Sequence, residues 1–267
     1  MVAWAPMKKS VKWIIAVVVA AVLVLVGGPY IYIHFIQGDA PAALTFDNTG
    51  DPSTVASAPV ATTTAAGAAS TAAATPDSTA AVGATTTVAA AGTIADVEGV
   101  WNATSASVVG YRVKEVLFGQ STEAVGRTSD VKGTVTVKGN TVEAAEFTID
   151  MTTVKSDQSK RDAQFKGRIM SVETFPTAVF KLMSPITLSS VPGDKVEITT
   201  TVTGELTLKG RTKAVSFDLK ARRNGANIEV NGQIPVAFAD YGIDNPSTTG
   251  ITTEDNGKLE FLLVFAR

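Results

Sequence analysis

The sequence predicts a mainly β protein: an eight-stranded antiparallel barrel with a short helical insertion, preceded by one transmembrane helix and a disordered linker. Three observations predict this class. Apolar residues recur at every second position from residue 97 onward, an apolar run lies near the N-terminus, and an Ala- and Thr-rich segment separates the two. Period two is typical of strands with one buried face, and closure into a barrel removes unpaired edges.

The apolar run at residues 13–36 is predicted to be a membrane anchor. It carries no charge unless His34 is protonated, and ~24 residues at about 1.5 Å each span a hydrocarbon core of roughly 30 Å. The three lysines before it place residues 1–12 in the cytoplasm. We therefore expect a single-pass protein of the cell membrane whose C-terminal domain is extracytoplasmic. The alternative is a signal peptide cleaved near residues 39–43, which would give a secreted protein.

The segment at residues 37–96 is predicted to be a disordered linker. It consists mostly of Ala, Thr, Ser, Gly, Pro and Val, with few aromatic or large aliphatic residues. Such a composition cannot bury enough apolar surface to offset the loss of conformational entropy on ordering. A flexible chain of about 50 residues has a root-mean-square span near 40 Å, so we expect a tether above the membrane.

The residue census excludes several kinds of chemistry. There is no cysteine, which excludes disulfides, thiol nucleophiles and Cys-ligated metals, and the single histidine, His34, lies inside the apolar run. No His-dependent catalytic triad or zinc site can therefore form elsewhere. From residue 97 onward acidic and basic residues are equal in number, which argues against nucleic acid as a partner.

The clearest strand pattern spans residues 196–219. Apolar and polar residues alternate up to Leu208, break at Lys209 and Gly210, and alternate again to Leu219, which predicts an antiparallel hairpin. Asn224 with Gly225 predicts a second hairpin through a type I′ turn. Further alternating segments at residues 109–113, 131–137, 147–151 and 228–238 predict more strands, and the last strand, 259–265, is apolar on both faces.

Residues 157–170 interrupt the β pattern and predict a short helix. Ser156 or Asp157 is a suitable N-cap, and Phe165 and Ile169, four residues apart, share the buried face. We expect Asp162 to accept hydrogen bonds from nearby backbone and so to fix the insertion over the barrel.

Four stretches then resemble the YceI-like family: Arg161 with Asp162, residues 175–180 (FPTAVF), residues 204–215 (GELTLKGRTKAV) and residues 241–243 (YGI). The resemblance covers residues 97–267 and implies a lipocalin-like barrel of a bacterial, periplasmic or secreted protein. It also implies an isoprenoid or related lipid in an apolar tunnel. The sequence departs from the family's usual residues at Gln164, Phe165 and Tyr241, which bears on the identity of the lipid.

The candidate ligand-binding residues are inward-facing positions of the strands together with residues of the insertion. They are Phe147, Ile149, Arg161, Phe165, Phe175, Phe180, Val202, Leu206, Phe217, Phe238, Tyr241 and Phe261. The alternative is that these side chains simply fill a core. Gly133, Gly204 and Gly232 would then mark bends, whereas under the first hypothesis they leave space for a ligand.

The sequence thus predicts a membrane-tethered barrel that binds or carries an isoprenoid or quinone-like lipid, with no catalytic residues, no metal and no other cofactor. Its expected partners are the lipid and the membrane, and a homodimer is left open. One alternative is an envelope-stress or adhesion module that presents loops such as residues 240–256. Another is a lipid-modifying enzyme that pairs Asp162 with Asp150 or Asp157 as acid and base.

Overall fold

The structure is a computed structural model that describes residues 40–48 and 92–267, together with isolated positions at 13, 17–19 and 28. The predicted cytoplasmic segment 1–12, most of the anchor 13–36 and the linker residues 49–91 lie outside the described residues. Within the described part, no helix has both the length and the apolar character needed to cross a membrane.

Residues 40–48 and 92–267 contain thirteen strands and two short α-helices. The strands are β1 (Gly99–Ala103), β2 (Val108–Leu117), β3 (Gln120–Thr128), β4 (Val131–Lys138), β5 (Thr141–Asp150), β6 (Lys155–Ser156), β7 (Thr177–Leu182), β8 (Ile186–Thr187), β9 (Ile198–Leu208), β10 (Arg211–Asn224), β11 (Asn227–Ala237), β12 (Ile251–Thr253) and β13 (Asn256–Ala266). The helices are α1 (Ile94–Val97) and α2 (Ser159–Gln164). Three 3-10 turns cover Phe46–Asn48, Met151–Thr153 and Phe238–Tyr241, and a π-turn covers Phe165–Ile169.

Eight strands close into an antiparallel barrel in the order β1-β4-β5-β7-β9-β10-β11-β13, and β13 returns to β1. The closing pairs are Asn102 with Ala266 and Ala103 with Phe265. Strand β13 also pairs with β2, which carries the β2–β3 hairpin beyond the closed ring. The predicted eight-stranded antiparallel barrel and its short helical insertion are therefore confirmed.

The two predicted hairpins form, but one turn differs from the prediction. Between β9 and β10, Lys209 and Gly210 both have positive φ, of 47° and 71°, as a type I′ turn requires. Between β10 and β11, Asn224 pairs with Asn227, and of the two residues between them only Gly225 has positive φ. The predicted type I′ turn is wrong here, because a single Gly at the first central position is the type II′ pattern.

Glycines inside the barrel lie beneath aromatic rings. A Cβ atom on Gly204 would lie 2.3 Å from the Phe180 ring, and one on Gly232 would lie 2.6 Å from the Phe261 ring. Gly133 stands directly opposite Phe147 in the β4–β5 register. The space these glycines leave is thus occupied by the protein's own rings.

Two parts of the predicted linker are described, and both contact the barrel. Residues 40–48 lie on its outer wall, where Leu44 and Phe46 are buried against Val108 and Leu262. At the other end, Gly92 donates to the carbonyl of Val191 (3.2 Å) before α1 begins. The sequence prediction of a linker did not anticipate this packing.

Candidate functional site

The main candidate site is a cavity of about 530 Å³ at one end of the barrel, which we call the rim cavity. Its walls come from the barrel strands, the β2–β3 hairpin, the helical insertion and the loop at residues 240–256. The lining side chains are mostly apolar and include Val113, Leu117, Met151, Val154, Phe165, Ile169, Met170, Val236, Phe238 and Ile243. Its volume lies within the roughly 300–1,000 Å³ of typical small-molecule sites.

The other end of the barrel holds a smaller, almost wholly apolar cavity of about 170 Å³, the inner cavity. Five phenylalanine rings form a continuous array there, with neighbouring centroids 5.6–6.5 Å apart. The rings belong to Phe147, Phe180, Phe217, Phe261 and Phe265. This half of the barrel is therefore packed largely by its own aromatic side chains.

Three side chains separate the two cavities. Val109, Ile149 and Leu259 line both, so they form a partition between the two spaces. Ile149 is buried, with 5% of its surface exposed. A ligand longer than the rim cavity would have to pass this partition.

The helical insertion is fixed over the rim cavity by Asp162. Its Oδ1 accepts hydrogen bonds from the backbone N–H (2.8 Å) and the hydroxyl (2.7 Å) of Ser156 on β6, as the sequence predicted. The predicted N-cap is wrong, because α2 begins at Ser159 with Gln158 in the cap position. Ser156 lies two residues before that cap, where its hydroxyl donates to Asp162 and accepts from the backbone N–H of Gln158 (3.2 Å).

The insertion closes one wall of the cavity with Phe165, whose ring stacks on that of Tyr111 at 4.9 Å between centroids. Tyr111 lies opposite Gly126, and a Cβ atom on Gly126 would lie 2.4 Å from the tyrosine ring. Burial raises the pKa of Tyr111 above its ordinary value near 10. Phe165 and Ile169 both line the cavity, so the predicted apolar face of the insertion is confirmed.

Most polar side chains of the rim cavity lie where the insertion meets β2, while Thr128, Thr253 and Lys258 line other parts of the wall. Arg161 Nη2 lies 3.1 Å from Glu115 Oε1, and Nη1 pairs with Asp157. Gln164 and Lys160 line the same region. Because two carboxylates of the chain already pair with its guanidinium, Arg161 ties the insertion to β2.

The loop at residues 240–256 forms the opposite rim. Its residues Ile243, Pro246 and Ile251 line the cavity, and the carbonyl of Pro246 accepts a hydrogen bond from Arg168 of the insertion (3.0 Å). The insertion and the loop are thus joined across the cavity.

The structure divides the predicted site residues into four groups. Arg161, Phe165 and Phe238 line the rim cavity; Phe147, Phe180, Val202, Leu206, Phe217 and Phe261 line the inner cavity; and Ile149 lines both. Phe175 and Tyr241 line neither.

Phe175 packs against the β9–β10 turn, where a Cβ atom on Gly210 would lie 2.5 Å from its ring. Tyr241 is 2% exposed, its hydroxyl has no partner among the described residues, and burial raises its pKa. Of the three departures from the family's usual residues, Gln164 and Phe165 therefore border the rim cavity and Tyr241 does not.

Several cavity residues were not predicted. Tyr111 and Val113 follow Val109 at period two in β2, and all three line the rim cavity. The alternation of these three residues is visible in the sequence and could have been used to predict them as cavity residues. Met151 ends the predicted alternating segment 147–151 and could have been added in the same way, whereas Val154 and Met170 lie in irregular segments, where period two gives no signal.

The carboxylates proposed as an acid–base pair each have a structural partner. Asp150 accepts hydrogen bonds from the hydroxyl (2.6 Å) and the backbone N–H (2.8 Å) of Thr152, which lower its pKa. Asp157 pairs with Arg161, and Asp162 binds Ser156. A pKa lowered in this way is the opposite of what a general acid near neutral pH requires. Among the described residues, no group of three or more His, Cys, Asp or Glu could hold a metal ion.

The fold and the cavities define a small antiparallel barrel that encloses a ligand-sized apolar space. Residues 101–265 match the YceI-like domain, so the chain belongs to that family.

Solved structures with the same fold include a polyisoprenoid-binding domain from Saccharophagus degradans that is implicated in plant cell wall breakdown. It is 18% identical, with a TM-score of 0.50, and the match covers 63% of this chain and 98% of that domain. BcnA of Burkholderia cenocepacia is 20% identical over 58% of this chain and 95% of its own, with a TM-score of 0.45. The YCEI protein of Campylobacter jejuni is 14% identical over 51% and 82%, with a TM-score of 0.38. No curated protein matches the chain.

Proposed function

We propose that this protein binds an isoprenoid or quinone-like lipid in the rim cavity and carries it without changing it chemically. The observation that supports this most directly is a cavity of about 530 Å³ with a mainly apolar wall and polar groups at one edge. A lipid tail gains roughly 25 cal/mol for each Å² of apolar surface that it buries, and the polar edge provides partners for a head group. The polyisoprenoid-binding relative has the same fold.

The proposed setting is the outer side of the cell membrane, with residues 13–36 as the anchor. The lysines before this run support that orientation. The lack of charged residues within the run supports its role as the membrane span. Phe118, at the β2–β3 tip, borders the rim cavity and is 59% exposed, and the neighbouring Val116 is 40% exposed. This apolar tip beside the opening suits exchange of a lipid with an adjacent bilayer.

Native mass spectrometry of protein extracted in mild detergent tests the proposal, and we expect a bound lipid of isoprenoid mass. Val113→Trp should abolish the adduct, because Val113 lines the rim cavity and the larger side chain would fill it. Lys114→Trp is the matched control, because Lys114 is the next residue and points outward. Protein that carries no lipid and takes up none from mixed vesicles would contradict the proposal.

The partition at Ile149 predicts how the cavity limits tail length. Ile149→Ala should join the rim and inner cavities and shift the bound lipids toward longer tails, while Ile149→Phe should favour shorter ones. Mass spectrometry with a mixture of chain lengths measures the shift. Identical lipid profiles in the two variants would mean that the tail does not reach the partition.

A further inference from the structure

The outer wall of the barrel holds buried charged side chains. Glu260 of β13 is fully buried, although its side chain points away from the interior. Its carboxylate accepts from Arg112 Nε (3.0 Å) and from Arg127 Nη2 (2.7 Å) and Nε (2.9 Å). Glu229 is 3% exposed and accepts from Arg222 Nε at 2.7 Å. Outward-facing charges on a barrel are ordinarily solvated, so this burial requires a cover.

Residues 40–48 supply the cover, and the wall recognises them mainly through their backbone. The carbonyl of Pro41 accepts from Arg112 Nη2 (2.7 Å), and that of Leu44 accepts from Asn231 Nδ2 (2.7 Å). The carbonyl of Phe46 accepts from Arg222 Nη2 (3.2 Å). The segment therefore crosses from the β2–β3 pair, over β13, to β11 and β10.

Two side chains of the segment fix its position along the wall. Leu44 is 7% and Phe46 is 5% exposed, and both pack with Val108 and Leu262. The guanidinium of Arg222 also lies 4.5 Å from the centre of the Phe46 ring, within the range of a cation–π interaction. Backbone hydrogen bonds combined with two apolar anchors are the usual means by which a protein surface holds an extended peptide.

We propose that residues 40–48 are an intramolecular docking segment that holds the barrel beside the N-terminal apolar run. Residues 49–91 then connect two points on the barrel, and only residues 37–39 separate the dock from that run. Four Cα steps of at most about 3.6 Å limit the distance between residues 36 and 40 to ~14 Å, well short of the span of about 40 Å expected for a free linker of about 50 residues. The position next to the membrane rests on the proposed anchor, whereas the docking itself does not.

Thiol labelling tests the docking, because the natural chain has no cysteine. We compare the maleimide reactivity of Leu44→Cys with that of Ala42→Cys, whose side chain is exposed, in the intact protein. The Leu44→Cys thiol should react at least about tenfold more slowly, the equivalent of burying one apolar side chain. Adding Phe46→Ser should remove the difference. Phe46→Cys provides a second buried position, and equal rates at all three positions would overturn the proposal.

The position of the barrel is tested with a specific protease site inserted after Ser70. After cleavage of isolated membranes, the barrel should stay in the membrane pellet, while the Leu44→Ser/Phe46→Ser variant should release it. Release of the barrel from the chain without these serine substitutions would overturn the proposal that the docking segment holds the barrel beside the membrane. Absence of the protein from membranes before cleavage would instead contradict the proposed anchor. Lipid binding is measured separately, so that the proposed function is tested independently of the docking segment.

Discussion

Gly204 illustrates how a missing side chain organises the interior. The Phe180 ring lies across it, so a methyl group at this position would meet the ring at 2.3 Å. From the sequence, Gly204 suggested either ligand space or a bend. The structure shows a third role, in which a glycine on one strand accommodates an aromatic ring from its neighbour.

Gly204→Ala should therefore lower the free energy of unfolding by about 1–3 kcal/mol, the usual effect of overpacking a core. The control is Gly167→Ala in the insertion, where nothing lies within 4 Å of the new methyl group and a gain of about 0.4–1 kcal/mol is expected. Urea unfolding of both variants checks the prediction. A free energy of unfolding of Gly204→Ala equal to that of the natural protein would mean that the Phe180 ring can move away from the new methyl group.

Tyr111 predicts how stability depends on pH. Its pKa in the folded barrel is raised by burial, whereas in the unfolded chain it is near 10. Its contribution to stability is thus fully present below about pH 10 and is lost as the pH rises further, by up to about 1.4 kcal/mol per pH unit. The free energy of unfolding should fall more steeply between pH 9.5 and 11 in the natural protein than in Tyr111→Phe. If the free energy of unfolding fell equally with pH in the two proteins, the result would contradict a buried, protonated Tyr111 side chain.

At the scale of elements, one carboxylate supports the start of the insertion. Asp162 holds α2 to β6 through Ser156, and α2 leads directly into the turn Phe165–Ile169, whose side chains cover the rim cavity. Asp162→Ala should leave the barrel folded and speed lipid exchange, because the cover opens more often.

Transfer of a fluorescent lipid from vesicles measures the exchange rate. Asp244→Ala on the facing loop is the control, because Asp244 is exposed. An exchange rate equal to that of the control would mean that the insertion does not limit lipid entry.

Strands were predicted more reliably than the segments between them. Period two located the inward residues of β9, β10 and β11, because each side chain on a strand alternates between the two faces. The N-cap of α2 and the turn after Asn224 depend on hydrogen bonds and φ values set by tertiary contacts, which no short pattern specifies.

The docking segment shows the same limit. Leu44 and Phe46 alternate in a stretch that otherwise consists of Ala, Pro, Thr, Asp and Asn, and two such residues are too few to predict a packed segment. The available signal was β13, whose outward Leu262 is fully buried beneath them. A strand that is apolar on both faces indicated a cover outside the barrel as well as a core inside it.

At the scale of the whole molecule, ligand and fold stabilise each other. A lipid bound only by the folded barrel adds about 2.7 kcal/mol when its concentration is 100 times its Kd. For a domain of about 150–250 residues, each kcal/mol corresponds to ~2–4 °C in Tm. Removing the lipid should therefore lower Tm by about 5–10 °C, and adding it back should restore the value. Calorimetry tests this prediction, and Val113→Trp should show no such difference.

The position of β13 also has a consequence for how the proposed lipid would enter the barrel. This strand pairs with β11 on one side and with β1 and β2 on the other, so it is the strand that closes the barrel. Asn102 and Ala266, which close the ring, are 164 residues apart in the chain, and pairings between such distant residues are expected to form late in folding. We therefore expect that the proposed lipid, when present during refolding, enters from the side of the still open sheet, whereas the folded barrel admits it only at the rim.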